Sequence, residues 1–244
     1  MATGAGAFTH TDREGAVNKA MQQTMGRLAA SVLAAVFLPA GGAGPLAATG
    51  PWMTSADRAA AYYGTAVATA GDVNGDGYDD VIVGAPGYNN GAGEEGAVFV
   101  YHGSAAGLST TANWRAVANR ANAAFGFSVA TAGDVNGDGY DDVLVGAPGP
   151  ETDEQGTGRV FVYHGSASGL STTANWRAER NQAHAVFGTS VATAGDVNGD
   201  GYSELVIGAP WFDAAGNDES GAAFVYPGGA AGSEAAPART ASPH

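Results

Sequence analysis

The decapeptide GDVNGDGYDD at residues 71–80 returns unchanged at 133–142 and, with two substitutions, as GDVNGDGYSE at 195–204. In each copy oxygen-bearing groups stand at alternate positions. The first copy has Asp72, Asn74, Asp76, Tyr78 through its carbonyl, and Asp80. The second has Asp134, Asn136, Asp138, Tyr140 and Asp142, and the third Asp196, Asn198, Asp200, Tyr202 and Glu204. Alternate residues of a tight loop point to one side, so these oxygens are placed to converge. Gly75 and Gly77 permit backbone angles that a side chain would resist. A hard, all-oxygen donor set suits Ca²⁺, which takes about 6–8 oxygens, better than Mg²⁺, which demands strict octahedral geometry. An EF-hand starts in the same way but needs a carboxylate at loop position 12 and flanking helices. Here that position is Val83, Val145 or Ile207, inside an apolar run.

The alternative is a turn that uses Asp, Asn and Gly only for their backbone habits. Charge favours the cation. The three loops carry eleven of the chain's 24 acidic residues, and the net charge is −14. Several acids gathered on one centre repel unless a cation joins them, so one Ca²⁺ per loop, three in all, is expected. No nucleophile or water activator accompanies the loops, which makes the metal structural. The same charge excludes nucleic acid as a partner, since phosphate contacts need Lys and Arg.

Outward from the decapeptides the repeat extends on both sides. Asp72, Asp134 and Asp196 stand 62 residues apart, and so do Trp52, Trp114 and Trp176. Tyr63, Phe125 and Phe187, each followed by glycine, keep that spacing, as do the GAP triplets at 84–86, 146–148 and 208–210. Within the second unit four short runs read as strands: TANWRA (111–116), GFSVATAGDV (126–135), DDVLVGAP (141–148) and GRVFVYHG (158–165). Each is rich in Val, Phe, Tyr or Trp and bounded by Gly, Asn, Asp or Pro. VLVGAP, apolar at consecutive positions, reads as a strand covered on both faces. Four strands in a repeated unit of this size make a β-propeller blade rather than a solenoid turn.

The order FG, DVNGDGYDD, GAP within one unit resembles the FG-GAP repeat of integrin α-chain propellers and their bacterial relatives. The resemblance implies an all-β fold of three four-stranded, propeller-type blades, at 44–106, 107–168 and 169–229. It also implies a calcium loop in each blade, with the position-9 carboxylates Asp80 and Asp142 as ligands. Glu204, with its longer arm, implies weaker binding in the third. Propellers of the family have about seven blades, and closed propellers need about 4–8. Three blades therefore form a partial propeller, or one completed by oligomerisation. A head-to-head homodimer would supply six.

Residues 28–40, LAASVLAAVFLPA, follow Arg27 and precede small residues through Ala43. That pattern reads as a secretory signal within 1–43, because the run is too short to span a membrane. The expected location is secreted or cell-surface. The stretch 230–244 has lost the repeat's Trp and reads as a flexible tail. His102 and His164 occupy matching positions, replaced in the third copy by Pro227, and read as solvent-facing blade edge. The recurring aromatics read as packing between blades. No G-x-S-x-G elbow, paired carboxylates outside the loops or phosphate-binding loop is present, so no catalysis is expected. The expected role is adhesion or protein recognition on a blade face. A sugar-binding propeller, and a non-catalytic module of a larger secreted protein, are the alternatives.

Overall fold

The computed structural model describes residues 52–91, 93–149, 156–180, 182–214, 220–230 and 239–241. The segment read as a secretory signal lies outside them. Three antiparallel sheets of four strands follow one another along the chain. The first holds β1 (Ala66–Gly71), β2 (Asp80–Ala85), β3 (Ala97–Tyr101) and β4 (Trp114–Val117). The second holds β5 (Ser128–Gly133), β6 (Asp142–Ala147), β7 (Arg159–Tyr163) and β8 (Trp176–Glu179). The third holds β9 (Ser190–Gly195), β10 (Glu204–Ala209), β11 (Ala222–Tyr226) and β12 (Arg239–Ala241). Each sheet is a simple meander, and β1, β5 and β9 lie side by side, as the inner strands of successive propeller blades do.

The sequence period and the sheets differ in phase. The WRA run, expected to open a unit, closes the preceding sheet: Trp114 pairs with Val100, and Trp176 with Val162. In the third sheet the fourth strand comes from within the stretch read as a tail, with Thr240 opposite Phe224. A run of four residues declares itself a strand locally, but its partner is set by the corner that precedes it. Each 62-residue unit therefore straddles two blades.

The cores lie between blades, and strand alternation divides them. On β6, Val143, Val145 and Ala147 face the first blade in a cluster with Ile82, Val98, Val100 and Phe125, while Leu144 turns to the third blade beside Leu205 and Ile207. Every residue of β6 is buried, as expected for a strand covered on both faces. The inner strands end in a bulge, where Asp80 pairs with Gly71 and the register shifts between Thr69 and Gly71. Gly71 holds φ +76°, a left-handed angle that turns the strand into the acidic loop.

Blades meet backbone to backbone. A Cβ on Gly126, the glycine of FG, would lie 2.6 Å from the Ala97 carbonyl oxygen and 2.8 Å from Val98 Cγ1. A Cβ on Gly84 or Gly146, the glycines of GAP, would overlap the carbonyl oxygen of Gly126 or Gly188 in the next blade. The two motifs are thus halves of one contact. Phe125 and Phe187 are fully buried beside it, each with its amide bonded to the preceding blade at Glu95 O and Thr157 O (3.2 and 3.1 Å).

Gly208 is different, because a Cβ there would meet the Ser190 hydroxyl and no neighbouring blade. Gly146→Ala should therefore cost about 1–3 kcal/mol through overpacking, and Gly208→Ala clearly less. Equal losses in paired urea melts would show that this blade contact does not set the glycine requirement.

Candidate metal centre

Each acidic loop joins the inner strand of a blade to its second strand, and the three are built alike. Asp72 accepts from the amides of Asp76 (3.0 Å) and Gly77 (2.8 Å), Asn74 Oδ1 from Asp76 N (3.0 Å), and Asp76 Oδ1 from Tyr78 N (3.0 Å). Asp134, Asn136 and Asp138 repeat these bonds, as do Asp196, Asn198 and Asp200. These are the side-chain-to-backbone turns for which Asp and Asn are suited. Among the described residues, no three Asp, Glu or His side chains gather closely enough to hold a metal ion by themselves. The loop acids are turned onto the loop's own amides.

The ninth loop residue anchors the structure. Asp80 is 0% exposed and accepts from Val73 N (3.1 Å) and from Gly103 N at the β3–β4 corner (2.8 Å). Asp142, also fully buried, makes the same pair of bonds with Val135 N and Gly165 N (3.0 and 2.8 Å). Burial pushes the Asp142 carboxyl up to about 7, and the charges of Asp138 and Asp134 add to the rise against the two amides. Burial likewise raises Asp80 to about 6, the Gly103 amide and His102 opposing it. Asp196 is shifted the other way: exposed, it is lowered chiefly by the Gly201 amide. Two buried carboxyls that resist ionisation beside further acids are what a cation would relieve. The donors are all oxygen, and in this respect they fit a hard divalent ion.

The histidines are not idle at a blade edge. His102 Nδ1 lies 3.2 Å from Asn74 Nδ2, and His164 Nδ1 the same distance from Asn136 Nδ2. Because the amide oxygen of each Asn already accepts a backbone bond, the ring nitrogen is the acceptor and its proton sits on Nε2. Burial lowers the His164 pKa, which favours that neutral ring. In the third blade Pro227 replaces the histidine, and Glu204 Oε1 takes Asn198 Nδ2 instead (3.3 Å), while Oε2 holds Val197 N (2.8 Å). The change from Asp to Glu thus compensates for the lost imidazole. Pairing the Pro227 and Glu204 substitutions was the available signal for this.

Loops also touch across blades. Asp72 N donates to Asp141 Oδ2 (2.9 Å), and Asp141 N to Asp72 O (3.2 Å). Ser203 N repeats the second bond to Asp134 O (2.9 Å). The Tyr140 and Tyr202 rings cover the preceding loop: a Cβ on Gly75 or Gly137 would lie 2.5 or 2.6 Å from their Cε1. The alternation of loop oxygens points only to the carbonyls of these tyrosines, and position eight, Asp141 or Ser203, falls outside it.

These repeated elements coincide with a known family. The FG-GAP repeat profile matches residues 63–101, 125–163 and 187–226, each running from the FG aromatic to the tyrosine that ends the third strand. The chain is an FG-GAP repeat protein. It is 35% identical over 158 residues to integrin alpha-4 of Xenopus laevis, covering 63% of this chain and 15% of that protein. Integrin alpha-3 of Cricetulus griseus is 34% identical over 154 residues (61% and 14%), and human integrin alpha-7 36% over 166 residues (64% and 13%). The chain thus spans only about a seventh of the length of these relatives. The FG-GAP blades, and not those whole proteins, are what it shares.

The raised carboxyls fix a sign. With folded values near 6 and 7 against an ordinary 3.8, Asp80 and Asp142 hold protons longer when folded. Their contribution to stability is therefore greatest at low pH and falls as pH rises from about 4 to 7. Carboxyl ¹³C titration in chelator should show two groups titrating well above the rest and Asp196 below. A single cluster near the ordinary value would refute this.

Proposed function

We propose that this protein is a calcium-loaded recognition module of the cell exterior, which presents rigid blade faces to a protein ligand and performs no chemistry. The observation that carries the reading is one acidic loop made three times and one blade contact made twice, within three FG-GAP matches in a chain that resembles integrin α chains. In each loop the ion would be held by Asp72, Asn74, Asp76, the Tyr78 carbonyl and Asp80; by Asp134, Asn136, Asp138, Tyr140 and Asp142; and by Asp196, Asn198, Asp200, Tyr202 and Glu204. Ca²⁺ would supply positive charge to the acids and lock the loop between the first two strands of its blade. The third site is the weakest, because Glu204, with its longer arm, stands where the other loops have Asp80 and Asp142.

Export rests on the apolar segment at 28–40, and among the described residues no helix is long and apolar enough to cross a membrane. A protein ligand is favoured over a sugar by the state of the tryptophans. Trp114 is buried, its Nε1 bonded to Ser171 O (3.0 Å) and its ring set edge-on to Tyr163 of the next blade. Trp176, half-buried, sets its ring edge-on to Tyr226. Rings committed to blade packing do not offer a face for stacking on a pyranose.

Calorimetric Ca²⁺ titration of the chelated chain should give three sites, two tighter than the third, with Asp134→Asn/Asp138→Asn removing one of the tighter pair. Melting temperature should rise with calcium, each site adding about 2.7 kcal/mol at a hundredfold excess over its Kd. No heat and no shift would leave the loops as turns. Peptide and glycan arrays probed with the calcium-loaded chain test the ligand class: peptide binding lost in chelator supports the proposal, and glycan-only binding overturns it.

A further inference from the structure

The contact between blades has two unlike halves, and the described chain leaves one of each unmatched. On the trailing side of the first two blades, Ala70, Val73 and Ile82, and likewise Ala132, Val135 and Leu144, are fully buried by the blade that follows. The same positions of the third blade are Ala194, Val197 and Val206. Ala194 is exposed, Val197 is 65% exposed, and Val206 is only partly covered. Gly199, whose counterparts lie under a tyrosine ring, faces open space. Backbone acceptors match the pattern. Asp72 O and Val73 O receive Asp141 N and Ser166 N, and Asp134 O and Val135 O receive Ser203 N and Gly229 N. Asp196 O and Val197 O receive no such bond among the described residues.

The leading side of the first blade offers the complement. Val67 is 43% exposed, whereas its counterpart Val129 is buried against the first blade. Gly64 faces open space where Gly126 abuts Ala97 O. Tyr78 is exposed where Tyr140 and Tyr202 cover a neighbouring loop. The amides of Asp79 and Ser104 stand where Asp141 and Ser166 donate. The molecule thus carries, on opposite ends, both halves of a contact that it makes twice internally.

We propose that the trailing face of the third blade binds the leading face of the first blade in a second copy of this chain. The pairing is head to tail and not the head-to-head arrangement expected from the blade count, because two trailing faces would bring acceptor to acceptor and leave no tyrosine for Gly199. A contact of this heterologous kind either closes into a ring or extends without limit. Two copies supply six blades, within the range of about 4–8 that propellers close with, so the closed dimer is the product. The inference rests on the blades alone and needs neither the calcium nor the ligand assignment.

Light scattering of the full chain at high concentration should give the mass of a dimer. Ala194→Asp and Val67→Asp place a charge in the trailing and leading faces respectively, at exposed positions where folding tolerates it. Each variant alone should run as a monomer with an unchanged circular dichroism spectrum. Mixed together they should recover a dimer, joined through the one contact that neither charge touches. A natively folded monomer for the unmodified chain overturns the proposal, and so does association that survives in both single variants.

Discussion

The distance between neighbouring blades depends on carbonyl oxygens seated where a side chain would otherwise be. Gly126 O fills the space above Gly84, Gly188 O the space above Gly146, and the FG glycine in turn lies against the preceding third strand. With the backbones that close, β5 and β9 reach the inner strands before them, and the cores between blades are filled by Val, Ile, Leu and Ala together with the aromatic rings of FG and of the third strands. The aromatic of FG then has a fixed position. Phe125 sits edge-on to Phe161 and Phe187 to Phe224, each also near the tyrosine that ends the third strand. Loss of the close approach would loosen these rings and the loop contacts together, since all are set by one spacing.

The acidic loops occupy one end of this packing and work against it. Asp72, Asp76 and Asp80 in one loop, and Asp141 reaching in from the next, bring like charges together in a partly dry setting. Burial and mutual repulsion both resist ionisation there, as the raised Asp80, Asp141 and Asp142 carboxyls indicate. Backbone amides offset part of this, and the loop geometry supplies many of them. A divalent ion would offset more, and the metal would then act on the blade contact as well as on its own loop, because Asp72 is bonded to Asp141 across it.

Much of this is legible in the sequence. FG, GAP and the decapeptide are contiguous motifs, and each encodes a local demand: a backbone approach, a buried strand, a loop of oxygens. What the sequence hid is long-range. The WRA strands look the same whether they open a unit or close the one before, and only pairing with the preceding third strand decides. Asp141 carries no local sign of its role, because its partner is the loop 69 residues earlier. His102 and His164 read as surface because an imidazole beside a glycine carries no local sign that it will accept from an asparagine 28 residues away.

The third blade shows how the repeat tolerates change. Its loop differs from the others at Ser203, Glu204 and, from the corner, Pro227. These are not independent losses. Glu204 reaches the asparagine that the missing histidine would have held, and Ser203 still makes the backbone bond to Asp134 while giving up the carboxylate bond across the blades. What survives is the packing that a neighbour constrains from the leading side: Phe187 and Gly188 are kept from the second copy, Leu205 and Ile207 replace Val143 and Val145 with larger apolar groups, and all four are buried. The trailing side is where cover is missing, yet Ala194, Val197 and Gly199 keep the residue types of the covered copies. Gly199 still serves its own loop at φ +78°, but Ala194 and Val197 pack against nothing that follows them in the described chain. A surface that retains the shape of a contact without making it internally is most simply explained by a blade that arrives from outside.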